Sequence, residues 1–513
     1  MHTSIFSATT IGVEAHLVQV EVDLSLGMLQ FFIVGLPDTA IKESKQRITT
    51  ALKNSGIRLP ERKITVNLAP ADLKKEGTLF DLPIAIGILQ ASNQIPLSKE
   101  FLNETLFLGE LSLDGSIRAV KGILAFAYDA QRLGKKRLIV PFENAQEASL
   151  IPGIEVIATR NLVELITHLR GEASIAPTAH NPHAFNALRD TALDFAQVKG
   201  QEQAKRALLI AAAGKHNILF MGPPGAGKTM LAKRLPSIMP PMNFDEMIQT
   251  SKIYSISGKL AEHSLVAERP FRNPHHTISQ AGLVGGGSFP QPGEISLSHN
   301  GILFLDELTE FKRETLEVLR QPLENKSVSI ARANHTITYP ASFLLVAALN
   351  PCPCGFLGDA KKACICAPGS IERYLKKLSG PLLDRIDLQI TIQSVEYDTL
   401  KNKASEPSSS AQLHAQVIRA LVRQQQRFNS SSIYNGIMSS DQVEQFCVLT
   451  DAAEQLVKKV FDALHLSMRG YHKLLKVART IADLADADII DVPHIKEAIF
   501  YRSVDQYMEK MRS

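Results

Sequence analysis

The sequence lacks three things: long apolar runs, an excess of charge of one sign, and dispersed cysteines. No apolar run is long enough to span a bilayer, and the first residues lack the basic start of a signal peptide. We therefore expect a cytoplasmic location without membrane contact. Lys and Arg number 56 against 52 Asp and Glu, a net charge of +4. Bulk charge thus does not indicate nucleic-acid binding, so any DNA contact must come from local patches.

Four of the five cysteines form two Cys-x-Cys pairs close together in the chain, Cys352 with Cys354 and Cys364 with Cys366. In a cytosolic protein such a cluster favours a metal over disulfides, and four thiolates suffice for a tetrahedral Zn²⁺ site. The Cys-x-Cys spacing is tighter than the common Cys-x₂-Cys. Four free thiols in a loop that needs no metal therefore stay an alternative.

One segment matches the phosphate-loop pattern G-x-x-x-x-G-K-[ST] at every fixed position. It follows the apolar run 217–221, a predicted strand, and precedes a predicted helix whose positive end would face the same phosphates. The pattern therefore predicts a nucleoside-triphosphate site, in which the lysine neutralises the β/γ-phosphates and the threonine hydroxyl ligates Mg²⁺. Its residues are Gly222, Pro223, Pro224, Gly225, Ala226, Gly227, Lys228 and Thr229.

A second apolar run, 301–305, ends in two adjacent carboxylates, Asp306 and Glu307. We predict a buried strand that delivers Asp306 to the Mg²⁺, while Glu307 polarises the attacking water. A core strand with a charged end is the simpler alternative, but two carboxylates downstream of a phosphate loop favour ATP hydrolysis. A third apolar run, 343–349, predicts another buried strand and ends in Asn350.

Two polar segments interrupt these predicted strands. Residues 257–300 contain His275 and His276 and are expected to form a loop without elements of its own; loops this long are normally functional. Residues 327–338 have the strand period on both sides of a polar tip, which predicts a hairpin with Arg332 and His335 at its end. An ordinary solvated turn explains that tip equally well.

The rest of the chain divides where composition changes. Arg385 stands between two acids just before a predicted strand, where a surface ion pair is the simple interpretation, and Arg469 begins a predicted helix. The predicted regions are a mixed α/β region at 1–170, a linker at 171–194, the motif-bearing region at 195–400 and a helical region at 411–513. In the first region we predict strands at 11–23, 30–34, 63–68 and 137–141 and helices at 40–54 and 80–91.

The N-terminal region resembles the proteolytic domain of Lon-type proteases, through the stretches 109–115 and 140–144. That family uses a Ser–Lys dyad. The resemblance places Leu79 or Phe80 at the nucleophile position and Leu124 near the lysine position. Since leucine can neither attack a carbonyl nor transfer a proton, it implies a retained fold without peptidase activity.

Longer segments resemble the YifB/ComM family, in the magnesium-chelatase branch of AAA+ ATPases. The segments are 269–276, 293–301, 350–355 and 379–387. The resemblance implies an α/β fold, an AAA+ P-loop ATPase core with a helical lid, preceded by an α+β Lon-protease-like (ribosomal-protein-like) domain. It also implies that the region 195–400 holds a helix-2 insert, a pre-sensor hairpin and the four-cysteine loop.

The same resemblance implies roles for individual residues. Asn350 would be the first sensor, Arg469 the second, and Arg385 the finger that reaches the γ-phosphate bound by the neighbouring subunit. The DNA contacts would come from the helix-2 insert and the pore-facing hairpin, through His275, His276, Arg332 and His335.

The function implied by the resemblance is that of a homohexameric helicase that uses ATP and Mg²⁺. It would act on single-stranded, double-stranded and branched DNA, and promote branch migration during recombination in natural transformation. A competing class is a magnesium-chelatase-like motor acting on a protein or metal-insertion partner. The chain contains no D-x-S-x-S stretch, and chelatase ATPase subunits lack the Lon-like domain. An ATP-dependent protease is disfavoured by the missing dyad.

Overall fold

The computed structural model describes residues 1–75, 77–180, 193–260, 265–287, 290–332, 335–359, 361–394, 408–430 and 433–502, without the side chains of Arg332 and His335. The chain divides into two compact units. The first comprises Met1–Ala187 and Phe244–Ala267, and the second comprises Leu188–Asn243 and Glu268–Ser513. The segment 244–267 thus belongs to the first unit although it lies within the second in sequence. No change of composition in the sequence indicates that this segment belongs to the first unit.

A seven-stranded mixed sheet forms the core of the first unit. The strands of this unit are β1 (His2–Ile11), β2 (Glu14–Ser25), β3 (Gln30–Val34), β4 (Lys63–Ala69), β5 (Thr105–Phe107), β6 (Glu110–Leu111), β7 (Ile117–Arg118), β8 (Arg137–Pro141) and β9 (Glu155–Thr159). The sheet has the order β3-β4-β2-β1-β5-β8-β9, while β6 and β7 form a separate pair. The strand predicted over 11–23 corresponds to β2, but it begins only at Glu14: Gly12, with φ +62°, turns the chain after β1, which was not predicted.

The helices of the first unit pack apolar faces on this sheet. They are Thr39–Asn54, Asp81–Ala91, Lys99–Glu104, Ile123–Ala130, Ala145–Ser149, Leu162–Leu169 and Phe244–Ile256. Thr39–Asn54 begins after Asp38, whose carboxylate accepts the N–H of Ile41 at 2.8 Å and so caps the helix. Of the residues aligned with the protease dyad, Phe80 and Leu124 are buried in the apolar core, and Leu79 is partly buried against it.

Five parallel strands form the main sheet of the second unit. The strands of this unit are β10 (Ile218–Met221), β11 (Phe271–Arg272), β12 (Gly285–Gly286), β13 (Gln291–Pro292), β14 (Ile302–Leu305), β15 (Ser327–Arg332), β16 (His335–Pro340), β17 (Leu344–Leu349) and β18 (Leu388–Thr391). The main sheet has the order β11-β14-β17-β10-β18. β10, β14 and β17 are buried along their whole length, because helices cover both faces of a parallel sheet.

The segment 257–300 is not a loop without elements, as was expected from its composition. It contributes the edge strand β11, the pair β12–β13 and the short helices Gln280–Val284 and Glu294–Leu297. A Cβ on Gly285 would lie 2.3 Å from the carbonyl oxygen of Gln291, so the glycine permits backbones to pack closely. Arg272 then ties the segment together through a bidentate ion pair with Glu294, at 2.6 and 2.8 Å.

Helices make up most of the remaining second unit, and the described part of 411–513 is helical as predicted. The helices not yet given are Glu202–Gly214, Lys228–Ile238, Arg313–Glu317, Arg320–Asn325, Pro368–Leu375, Gly380–Leu383, Ser410–Phe428, Ser440–Phe446, Asp451–Ala463, Met468–Leu484 and Val492–Phe500. Lys473 of the helix Met468–Leu484 lies 3.3 Å from Asp387, which also accepts the N–H of Asn217 at 3.0 Å. This contact fixes the helical region to the start of β10. Within the described residues, no helix combines the length and apolarity that crossing a membrane requires.

Candidate nucleotide-binding site

The predicted phosphate loop connects β10 to the helix Lys228–Ile238. Gly225 and Gly227 have φ values of +77° and +89°, a left-handed conformation that favours glycine. A Cβ on Gly222 would lie 2.3 Å from the carbonyl oxygen of Ile392, so this position also requires glycine. A strand, glycine-rich loop and helix in this order form the arrangement in which backbone N–H groups and the positive helix end bind phosphate.

Lys228 is buried at the start of this helix. Its Nζ donates to the carbonyl oxygens of Gly222 at 2.5 Å and Pro223 at 3.0 Å, and to Oδ1 of Asn350 at 2.9 Å. Burial lowers the pKa of Lys228 to about 8, against the opposing effect of the Asp306 and Glu307 charges. These three hydrogen-bond acceptors are uncharged. A phosphate beside the Lys228 ammonium would add the negative charge of an ion pair.

Thr229 and Asp306 lie in direct contact. The Thr229 hydroxyl donates to Oδ2 of Asp306 at 2.6 Å, which joins the phosphate loop to the end of β14. Hydroxyl and carboxylate oxygens are the donors that Mg²⁺ prefers, and two such donors on neighbouring octahedral positions lie about 2.9 Å apart. The pair therefore fits the predicted magnesium role in both chemistry and spacing.

Glu307 follows Asp306 in a left-handed conformation, with φ +51°. Its side chain is 56% exposed and within reach of water, while its N–H donates to Oδ1 of Asp306 at 3.0 Å. Oε2 of Glu307 lies 3.2 Å from Nδ1 of His276, and the His276 ring packs against His275 with centroids 4.1 Å apart. The contact between His276 and the predicted water-polarising carboxylate was not found from the sequence, since about 30 residues separate the two in the chain.

The hairpin predicted at 327–338 is formed by β15 and β16, in which Arg332 pairs with His335. The side chains of these two residues, predicted to contact DNA, lie outside the described residues. The hairpin contacts the segment 257–300: the Tyr339 hydroxyl donates to the carbonyl oxygen of Pro290 at 2.8 Å, and Ile330 Cδ1 would lie 2.8 Å from a Cβ on Gly285. Burial raises the pKa of this phenol to about 12. The fold thus brings the hairpin into contact with the segment 257–300, which contains His275 and His276 and is called the histidine-bearing segment below.

Arg385 and Arg469 meet at Glu324, which sequence analysis did not single out. Nη2 of Arg385 and Nη1 of Arg469 lie 2.5 and 2.9 Å from the same carboxylate oxygen. Hydrogen bonds from Arg385 first, and then from Arg469, hold the pKa of Glu324 below its ordinary value. The ion pair of Arg385 therefore involves a residue 61 positions away, and not the adjacent acids.

The four clustered cysteines converge on one point. Their Sγ atoms all lie within 4.8 Å of one another, and the separations include 3.3 Å for Cys352–Cys354 and 3.6 Å for both Cys352–Cys364 and Cys354–Cys364. Thiolates on a tetrahedral Zn²⁺ stand about 3.8 Å apart, given Zn–S bonds of about 2.3 Å. Backbone N–H groups of Phe356 and Ile365 lower the pKa of Cys354 to about 6, which favours the thiolate that a metal needs.

Comparison with known proteins identifies relatives along the whole chain. Residues 194–400 match the family described as magnesium chelatase, subunit ChlI, residues 20–144 match subunit ChlI of Mg-chelatase, and residues 407–502 match the C-terminal part of subunit ChlI. The chain is 43% identical to the competence protein ComM of Haemophilus influenzae, over 99% of this chain and 98% of that protein. It is 41% identical to the uncharacterized protein YifB of Escherichia coli, over 98% and 97%.

A shorter match relates the N-terminal region to a protease. The chain is 30% identical to Lon protease 2 of Bacillus subtilis over 130 residues, which are 25% of this chain and 22% of that protein. Together with the parallel sheet and the phosphate loop, these matches confirm the predicted fold class: an AAA+ P-loop core with a helical lid, preceded by a Lon-like domain.

Proposed function

The chain belongs to the family of ComM and YifB, which are magnesium-chelatase-type AAA+ ATPases with a Lon-like N-terminal region. From this membership we propose that it is a hexameric DNA helicase. ATP hydrolysis would move the branch point of recombination intermediates formed by DNA taken up in natural transformation. The competence role is taken from the name of the Haemophilus influenzae relative. A cytoplasmic location accords with such a role.

The contact of Thr229 with Asp306 supports the ATP-hydrolysis part of this proposal, because it prearranges the two proposed magnesium ligands beside the phosphate loop, while the DNA part rests on the similarity to ComM. In the proposed reaction Lys228 leaves its neutral partners and binds the β/γ-phosphates. Glu307 polarises the water, and Asn350 orients it. Mg²⁺ would neutralise charge on the phosphates, held by the Thr229 hydroxyl and the Asp306 carboxylate.

Assembly into a homohexamer would complete the site. We assign Arg385 to the γ-phosphate of the neighbouring subunit and Arg469 to the nucleotide from the helical region. Both must then exchange Glu324 for phosphate, a partner with more charge and more acceptor oxygens. His275, His276, Arg332 and His335 are proposed to contact single-stranded, double-stranded and branched DNA, since the hairpin and the histidine-bearing segment lie together.

The cysteine cluster is proposed to hold a structural Zn²⁺. The sulfur separations fit a tetrahedral Cys₄ site better than pairs of disulfides, whose S–S bond is about 2.05 Å. Elemental analysis of protein purified without added zinc tests this assignment. One zinc per chain is expected in the parent and none in Cys354→Ser/Cys364→Ser.

The experiment that tests the function is a labelled four-strand junction incubated with the protein and ATP. The parent is expected to resolve the junction by moving its branch point, and DNA is expected to stimulate its ATPase rate. Arg385→Ala should do neither. The matched control is Arg373→Ala, a change at an exposed arginine that donates to the Gly369 carbonyl of its own helix.

An ATPase that no DNA structure stimulates, and a parent that leaves every junction intact, would contradict the helicase proposal. That result would favour the magnesium-chelatase-like motor, which would instead respond to a protein or metal-insertion partner.

A further inference from the structure

The cysteine loop touches the phosphate loop at one point. Cys352 to Gly355 form a tight turn, in which the N–H of Gly355 donates to the carbonyl oxygen of Cys352 at 2.9 Å. Gly355 has φ +84°, and a Cβ on it would lie 2.5 Å from Cδ and 2.8 Å from Cγ of Pro224. The α-carbon of Gly355 therefore packs directly on the proline ring in the middle of the phosphate loop.

The same loop also continues from the strand that carries Asn350. Cys352 is fully buried two residues after Asn350, whose Oδ1 accepts the Lys228 ammonium at 2.9 Å. The N–H of Gly222 donates to the carbonyl oxygen of Leu349 at 3.2 Å, which fixes the start of the phosphate loop to the same strand. The cysteine loop thus follows Asn350 in the chain and packs on Pro224, and both residues belong to segments that would meet the nucleotide.

We propose that the four-cysteine loop braces the phosphate loop: a metal held by the thiolates keeps Gly355 against Pro224 and thereby sets the affinity for ATP. The inference rests on the proposed zinc site. The metal would link the turn Cys352–Gly355 to Cys364 and Cys366. Without it, this link is lost and the position of the turn is no longer fixed. Pro224 would then lose its packing surface, and the loop would bind phosphate only after being ordered by the ligand.

Glycine is needed at position 355 for two reasons: the backbone is left-handed there, and a Cβ would overlap Pro224. A second glycine of the same loop separates the two effects. Gly358 lies in the same loop with φ +77°, but nothing lies within 4 Å of a Cβ placed there. Alanine at either position costs the same left-handed backbone strain. Only Gly355→Ala also pushes on Pro224.

The test measures the zinc content and the Kd of a fluorescent non-hydrolysable ATP analogue for the full-length parent, Gly355→Ala, Gly358→Ala and Gly355→Ala/Pro224→Ala. We expect Gly355→Ala to keep its zinc and to bind the analogue about tenfold more weakly. Gly358→Ala should keep the parental Kd. The double variant should bind more tightly than Gly355→Ala, because replacing the Pro224 ring with a methyl group removes the overlap. Removing zinc from the parent with a chelator should weaken binding by a similar factor.

A zinc-loaded Gly355→Ala with the parental Kd, or an equal loss in Gly358→Ala, would overturn the brace. A parent without zinc that still shows the specific Gly355→Ala loss would overturn the part assigned to the metal, and with it the zinc site, while supporting the contact between the loops.

Discussion

Arg385 and Arg469 converge on one carboxylate oxygen, Oε1 of Glu324, at 2.5 and 2.9 Å. Arg385 precedes β18, and Arg469 belongs to the helix Met468–Leu484, so a single acid joins the sheet to the helical region. The family resemblance assigns both arginines to nucleotide contacts. Within one chain they instead share this acid, and each must leave Glu324 before it can reach a phosphate.

Glu324→Gln should therefore raise the ATPase rate of the assembled protein several-fold, because it weakens the hold on both arginines without removing either. The measurement is ATP turnover at saturating ATP and high protein concentration. Glu372→Gln, which alters an exposed ion pair with Lys376 at 2.5 Å, is the control and should match the parent. A loss of rate as deep as that of Arg385→Ala would show that Glu324 positions Arg385 and does not restrain it.

Changes at Lys228 and Glu307 should separate binding from hydrolysis. Lys228→Ala removes the ammonium and should abolish nucleotide binding, whereas Glu307→Gln leaves the phosphate loop intact and should bind ATP without cleaving it. Binding of a fluorescent ATP analogue and phosphate release measure the two steps. Lys233→Ala and Glu310→Gln, at exposed positions nearby, are the matched controls. Parental turnover by Glu307→Gln would exclude Glu307 as the water-polarising group.

The buried lysine also predicts a pH dependence of binding. With the pKa of Lys228 lowered to about 8, the lysine is charged below that pH and neutral above it in the unliganded protein. Phosphate favours the charged form, so above a pH of about 8 binding must include proton uptake. The affinity for an ATP analogue should thus be nearly flat below about pH 7.5 and fall about tenfold per unit well above about pH 8. Lys228→Arg, which stays charged, should lose this dependence; if it falls in parallel with the parent, another group is responsible.

Much of the nucleotide site could be predicted from the sequence, because its residues are local in the chain. Lys228 and Thr229 end the phosphate-loop pattern that follows β10, and Asp306 directly follows β14, so the pattern and the strand ends were enough to locate them. Strand β17 and Asn350 follow the same logic. At each of these positions the predicted functional residue lies only a few residues after the end of a buried strand, so the apolar run of the strand indicates where it is.

The missed features depend on contacts between distant segments. Nothing in the spacing of Glu324, His276 or Gly355 indicates that each faces a residue of the nucleotide site. The glycine-rich stretch around Gly285 was mistaken for a loop because glycine allows close backbone pairing as well as turning. Strand β1 was also missed. The alternation of apolar and polar residues continues across the turn at Gly12, so the sequence did not indicate two separate strands.

His276 should restrain Glu307, since its ring nitrogen lies 3.2 Å from the carboxylate that we propose polarises the water. His276→Ala is expected to raise the DNA-independent ATPase rate several-fold and to reduce the stimulation by DNA, because the carboxylate is then free before DNA binds. His276→Gln, which can still donate one hydrogen bond, should stay nearer to the parent. A His276→Ala rate that falls, with stimulation by DNA unchanged, would contradict the restraint.

Mixing two inactive variants tests whether Arg385 acts on the neighbouring subunit. Arg385→Ala keeps the phosphate loop, and Lys228→Ala keeps the arginine, so an interface between them in the right order contains one intact set of groups. In an equal mixture of a head-to-tail ring, about one interface in four has this composition, and hydrolysis should recover to roughly that fraction of the parental rate. Mixing Lys228→Ala with Glu307→Gln should recover nothing, because both defects lie on the same side of the interface. If the first mixture stays as inactive as the second although gel filtration shows mixed rings, Arg385 acts within its own chain and the proposed site between subunits is wrong.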